Sequence, residues 1–212
     1  MDVAILQGAL RLLFLLDAAG VPVSGSNVPP QAVKLVRSEK RLQAMDFWMR
    51  NPDYLAAEIL LLAQTGVFTD ADIPVARGLL DGGEPDLRRY PMVRYLFGAF
   101  EPIDDAFSML ITPGLATRRR VGNPQGRKSS YFYLLQAGAD ATERIVADDP
   151  DLRWYQDRAR LVARVARGDS GNRLKERQYA HAEYAETQIG TRFAPITEIV
   201  RQRLADHSGV AP

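Results

Sequence analysis

The stretch from Ile103 to Val146 constrains the fold of this 212-residue chain more than any other part of the sequence. It begins with apolar residues at the spacing of a helix face, and Thr112-Pro113-Gly114 then ends that helix, because proline lacks an N–H and glycine accepts a positive φ. Two strand-like runs follow, from Leu115 to Val121 and from Ser129 to Leu135, joined by turn-forming residues. A helix of about eight residues after Gly138 is expected to close the unit. This order of helix, hairpin and returning helix predicts a winged helix.

The rest of the sequence predicts helices on both sides of this unit. Helical patterns cover Asp2 to Ala19, Gln31 to Arg50, Asp53 to Gln64, Thr69 to Leu80, Asp151 to Arg167, Arg173 to Gln188 and Pro195 to Ala205. The third of these helices is apolar nearly all round, so it is expected to be central. Tyr90 to Leu96 is expected to supply the third strand that a winged helix needs beside its hairpin.

These patterns predict a mainly α (α+β) protein in three parts. Residues 1–85 would form a helical N-terminal region, residues 86–150 a winged-helix core with a small antiparallel β-hairpin wing, and residues 151–212 a C-terminal helical region.

The composition argues against several classes of function. The chain has no cysteine, and its two histidines, His181 and His207, have no metal-ligand spacing, so we expect no metal and no cofactor. No acid, base and nucleophile come together in the sequence, which indicates a protein that is not an enzyme. The apolar N-terminal run is interrupted by Gln7 and Arg11 and lacks a preceding positive charge, so it is expected to be a buried helix in a cytoplasmic protein without membrane contact.

Positive charge is concentrated in the middle of the chain. Residues 1–114 contain 10 Lys and Arg against 14 Asp and Glu, whereas residues 115–178 contain 14 against 8. Five of these cations lie within eleven residues on the hairpin and its tip: Arg118, Arg119, Arg120, Arg127 and Lys128. Cations on a projecting loop suit phosphate binding, which predicts that the wing contacts nucleic acid. The alternative is a solvated hairpin whose arginines pair with surface carboxylates.

Two further features of this region have simpler explanations. The loop GNPQGRKSS resembles a phosphate-binding P-loop, but its glycines are one residue too close, an arginine precedes the lysine, and a strand follows where a P-loop requires a helix. The Asp151–Arg167 helix carries five arginines, which indicate a solvated helix face or, alternatively, a basic surface continuous with the wing.

Three phrases resemble a known family: RLQAMDFWMRNPDYLAAEIL (residues 41–60), PMVRYLFGAFEPIDDAFSMLITPGLA (91–116) and LVARVARGDSGNRLKERQY (161–179). The chain is similar to the middle component of bacterial ABC-three-component systems, the small accessory subunit of Lamassu-type anti-phage defence. The resemblance covers roughly residues 5–180. It implies a partner-binding role for the SGxxLKxxxY element, here through Gly171, Leu174, Lys175 and Tyr179.

The resemblance implies a non-catalytic accessory subunit. Such a subunit would bind an SMC-like coiled-coil ATPase, contact double-stranded DNA through the wing, and help couple DNA sensing to a nuclease-like effector subunit. The alternative is a free-standing winged-helix transcription regulator. Against it, the helix before the hairpin offers no Arg, Lys, Asn or Gln for bidentate contacts with bases.

Overall fold

A computed structural model of the chain describes residues 2–81, 92–96, 98–122, 126 and 128–208. The α-helices of this part are α1 Val3–Ala19, α2 Glu39–Arg50, α3 Pro52–Gln64, α4 Ile73–Gly78, α5 Asp104–Ile111, α6 Gln136–Asp148, α7 Arg153–Ala166, α8 Gly171–Tyr179, α9 Ala182–Glu186 and α10 Thr197–Ser208. The strands are β1 Val21–Pro22, β2 Ala32–Arg37, β3 Val93–Tyr95, β4 Gly98–Phe100, β5 Ala116–Gly122 and β6 Lys128–Leu135. The chain is mainly α-helical with a small antiparallel sheet, which confirms the predicted class at that level.

The predicted hairpin is present and belongs to a four-stranded antiparallel sheet of order β1-β2-β6-β5. Ala116 faces Leu134, Arg118 faces Phe132 and Arg120 faces Ser130 across the hairpin. Phe132 and Leu134 are fully buried, and the Phe132 ring meets Phe107 of α5 edge to face at 5.1 Å. The base of the hairpin is therefore anchored in the core, while its distal end carries the cations.

The predicted helix from Gln31 to Arg50 is wrong in its first part. Residues Ala32–Arg37 form β2, which pairs with β6, and α2 begins only at Glu39. Ser38 separates the two elements with a φ of +71°, and its side chain accepts a hydrogen bond from Arg41 N at the start of the helix. Pairing with β6 therefore decides the conformation of a segment whose local pattern suits a helix.

The third strand of the hairpin sheet is β2 and not the predicted Tyr90–Leu96 segment. Val93–Tyr95 pairs instead with Gly98–Phe100 in a separate two-stranded sheet. Tyr90 lies outside the described residues. The Val93–Tyr95 and Gly98–Phe100 strands are separated by only two residues. Such a short hairpin closes at a smaller entropic cost than a pairing with a strand that is distant in sequence.

Two further predicted helices differ from the observed elements. The returning helix α6 begins at Gln136 and has 13 residues, more than the expected length. The predicted Arg173–Gln188 helix is divided into α8 and α9. At the break, Nε2 of His181 lies 2.9 Å from Oε2 of Glu58 in α3.

The core is centred on α2 and α3. Every residue from Arg41 to Arg50 is buried, and α3 is buried from Pro52 to Leu60, which confirms the predicted central position of α3. The α1 helix contributes residues such as Phe14, whose ring stacks on Tyr155 of α7 at 6.0 Å. The buried apolar residues form one cluster that includes members of all three predicted segments. The division at residues 85 and 150 stays a prediction.

Candidate nucleic-acid interface and partner surface

The register of the hairpin places its cations on both faces of the sheet. Arg118 and Arg120 share the face that carries buried Phe132, because residues directly opposite each other point the same way. Arg119 lies on the other face, opposite Tyr131. Successive arginines of β5 therefore present their charges to opposite faces of the sheet.

The hairpin cations differ in how they are partnered. Nη1 of Arg118 lies 2.7 Å from Oδ1 of Asp104 at the start of α5. Nη1 of Arg119 donates to the carbonyl oxygen of Asn27 at 3.4 Å. Within the described residues, Arg120 and Lys128 are exposed and have neither a hydrogen bond nor an ion pair from their side chains. Arg127, the fifth predicted contact, lies outside the described residues.

Two cations that the sequence pattern did not connect with the wing lie beside the hairpin. Arg37 is exposed at the end of β2, where it faces Tyr131 of β6, and Lys40 is exposed in the first turn of α2. The sequence pattern places both in the predicted helix from Gln31 to Arg50, and it contains no signal that this segment pairs with the hairpin. A concave groove of about 760 Å³ now brings them together with the hairpin end; its lining includes Arg37, Lys40, Lys128, Ser129, Ser130 and Tyr131.

The structure bears on the two other basic segments, the loop that resembles a P-loop and helix α7. Lys128 begins a strand, as the sequence predicted, so no helix follows the loop that resembles a P-loop. On α7, Arg158 is buried against the Trp154 ring at 5.2 Å, and Arg164 pairs with Asp72 at 2.5 Å. Arg158 is therefore not part of a solvated helix face, and Arg164 is exposed but paired within the protein, so neither supports a basic surface continuous with the wing.

The four residues assigned to partner binding fall into two classes. Gly171 and Leu174 are buried; a Cβ on Gly171 would lie 2.6 Å from the backbone nitrogen of Arg41, so this glycine permits close packing of α8 on α2. Lys175 and Tyr179 are half-buried on the outer side of α8. Only these two can be reached by a partner without rearrangement of the fold.

Lys175 and Tyr179 lie next to an exposed apolar patch on the β3–β4 hairpin. They line a concave surface of about 410 Å³ together with Lys40 and Leu96. The apolar patch consists of four residues of this hairpin with exposed fractions of 39–60%: Val93, Tyr95, Leu96 and Phe100. Exposed apolar residues that cluster in this way are typical of interaction surfaces.

Lys175 leads to a prediction about pH. Burial and, to a smaller extent, the charge of Lys40 lower the pKa of Lys175 to about 8, and its Nζ donates to the carbonyl oxygen of Ala99 at 2.9 Å. An unfolded lysine keeps its proton up to about pH 10.4, so the unfolded state binds more protons than the folded state above pH 8. We expect the free energy of unfolding to rise as the pH increases from about 8 towards 10.

Urea unfolding of the wild type and of Lys175→Met at several pH values in this window would measure the effect. The rise should be absent from the variant, and an equal rise in both proteins would contradict the assignment to Lys175. The expected rise in the free energy of unfolding ends near pH 10. Burial raises the pKa of Tyr184, so this tyrosine stays protonated in the folded protein while unfolded tyrosines begin to ionise near pH 10. This difference favours unfolding at higher pH.

Two buried polar clusters were not predicted by the sequence analysis. In the first, Asp46 contacts Arg11 at 2.7 Å and Arg50 at 3.3 Å, and Arg50 also contacts Glu101. In the second, Glu58 contacts Arg177 at 2.7 Å and His181 at 2.9 Å. Burial opposes ionisation of Glu58 most strongly, but the hydrogen bond from His181 and the charge of Arg177 together lower its pKa.

The described part of the chain contains no group of three or more His, Asp and Glu side chains arranged to hold a metal ion. Among the same residues, every helix is too short or too polar to cross a bilayer. In comparisons with known proteins, no family model, no curated protein and no solved structure matches the chain.

Proposed function

We propose that this protein is a non-catalytic accessory subunit that connects double-stranded DNA to a partner protein. The observation that supports it most directly is the hairpin whose base is packed in the core and whose end carries cations without carboxylate partners among the described residues. Cations carried by a hairpin that is anchored at its base suit phosphate contact, and arginine and lysine alone supply no combination of acid, base and nucleophile for catalysis.

The winged helix is part of this proposal. The sheet order β2-β6-β5 places the hairpin beside a third strand, and α5 precedes the hairpin while α6 follows it. These features support a winged-helix core in which β2, and not the segment near Tyr95, is the third strand. The helices α2, α3 and α4 and the β3–β4 hairpin would then be inserted between that strand and α5.

The second surface of the proposal is the apolar patch with Lys175 and Tyr179 at its border. The resemblance noted in the sequence implies an SMC-like coiled-coil ATPase as the partner and a nuclease-like effector in the same assembly. The concave surface beside the patch combines apolar Leu96 with the cations Lys40 and Lys175. It therefore suits a partner surface of apolar residues bordered by carboxylates. The function would be to couple DNA sensing to the effector in anti-phage defence.

The experiment is an affinity pull-down of the tagged chain from its native host, followed by mass spectrometry. We expect a coiled-coil ATPase and a nuclease-like protein in fixed ratio with the wild type. Leu96→Asp should lose the ATPase, because it places a charge in the apolar patch, whereas Glu198→Gln, at an exposed site on α10, should retain it.

Recovery of the chain with promoter DNA and without partner proteins would contradict the subunit proposal. It would support the free-standing regulator instead. The α5 helix disfavours that alternative, since Asp104 and Asp105 begin it and repel phosphates where a recognition helix would approach the duplex.

A further inference from the structure

The two faces of the hairpin sheet differ in their suitability for DNA. On the face that packs on α5, Arg118 is neutralised by Asp104, and Asp105 adds a second carboxylate. Arg120 lies there without a partner among the described residues. The carboxylates at the start of α5 would repel a phosphate backbone that approached this face.

On the opposite face, three residues from three strands form one row. Arg37 of β2 faces Tyr131 of β6, and Tyr131 faces Arg119 of β5. Directly opposite residues share a face, and strands are spaced by about 4.8 Å, so the two arginines lie about 10 Å apart on either side of a half-buried tyrosine. This face therefore carries a band of positive charge across the sheet.

The groove continues this band beyond the sheet. Four cations line it (Arg37, Lys40, Arg41 and Lys128), against the two carboxylates of Glu39 and Asp169. Asp169 is already bound to Arg177 at 2.7 Å, and Arg41 donates to the carbonyl oxygens of Asp169 and Arg167. The charge that remains available for a ligand is mainly positive.

We infer that a DNA duplex docks with one phosphate backbone in this groove, on the Arg37–Arg119 face of the sheet, and that α5 stays outside the major groove. The inference rests on the DNA contact in the proposed function and specifies the face that makes it. It predicts binding without strong sequence preference, because phosphate contacts carry no base information.

The test compares two double variants that remove the same charge from opposite faces. The groove variant, Arg37→Ala/Arg119→Ala, removes the two arginines of the face on which the groove lies, and Arg118→Ala/Arg120→Ala removes cations of the α5 face. Binding of a fluorescein-labelled duplex of mixed sequence is followed by anisotropy over a series of salt concentrations, and a thermal melt of each variant confirms that it is folded.

The groove variant should bind the duplex roughly tenfold or more weakly than the wild type at low salt. Its slope of log K against log salt should fall by about 2, since two phosphate contacts are lost. The variant of the α5 face should change affinity by less than about threefold, because one of its arginines is already neutralised.

Three results would overturn the inference, and they can be told apart. A larger loss in the variant of the α5 face would place the duplex there and leave the proposed function standing. Tighter binding of a single strand of the same sequence, lost in the groove variant, would replace the duplex as the ligand. A wild-type protein that binds neither nucleic acid at low salt would remove the DNA contact of the proposed function itself.

Discussion

Replacing Asp46 by asparagine is expected to destabilise the protein by about 3–5 kcal/mol, because it leaves buried cations without their counter-charge. Asp46 is 3% exposed and bridges Arg11 and Arg50, which are 4% and 7% exposed. Glu101 contacts both arginines, but its side chain is half-exposed and cannot replace a buried carboxylate at the centre of the cluster. The free energy of unfolding from urea titration measures the effect.

The control for this prediction is Glu198→Gln. Glu198 also pairs with an arginine, Arg201, at 2.9 Å, but its side chain is 82% exposed. Solvent screens such a pair, so its loss should cost less than about 1 kcal/mol. Equal effects of the two substitutions would show that burial does not set the strength of the Asp46 cluster. A double-mutant cycle with Arg11→Met should further give a coupling energy of about 0.5–3 kcal/mol.

The same cluster has a defined response to acid. Burial is the largest influence on Asp46 and opposes its ionisation, but the charges of Arg11 and Arg50 overcome it and lower the pKa below the usual value of 3.8. A carboxylate with a lowered pKa stabilises the folded state above its unfolded pKa and loses that effect as the pH falls through the folded pKa. The contribution of Asp46 therefore persists at pH 5 and disappears only in stronger acid.

Local patterns in the sequence were sufficient for much of the fold. The helix stop at Thr112-Pro113-Gly114 and the alternation of the two strand runs identified α5 and the hairpin, and the apolar periodicity identified α1 and α3. Each of these signals lies within about ten residues of chain, where steric and capping rules act directly.

Features that depend on distant partners could not be predicted in this way. Strand β2 is a strand because it pairs with β6, almost a hundred residues later, and its sequence fits a helix equally well. The partners of the buried arginines are also distant in sequence: Arg11 meets Asp46, 35 residues away, and Arg177 meets Glu58, 119 residues away. The candidate groove was missed for the same reason, since Arg37 comes near Lys128 only through the sheet.

The substitution Leu174→Ala separates the structural role of α8 from the partner-binding role that the resemblance implies. Leu174 is fully buried, so its truncation should cost about 2–5 kcal/mol through lost apolar burial and the cavity left behind. The urea midpoint should fall while the dependence on denaturant stays the same. On the same helix, Arg173 is 63% exposed, and Arg173→Ala should change stability by less than about 0.5 kcal/mol.

A partner-contacting Leu174 would behave differently. Its substitution would leave the urea midpoint unchanged and would abolish recovery of the partner protein in the pull-down. The buried position predicts the reverse: at a temperature where the variant is still folded, partner recovery should match the wild type. Leu96→Asp should give the complementary result, because Leu96 is 60% exposed, so that its substitution removes the partner without lowering stability. The pair of variants would thus assign Leu174 to packing and the neighbouring apolar patch to recognition.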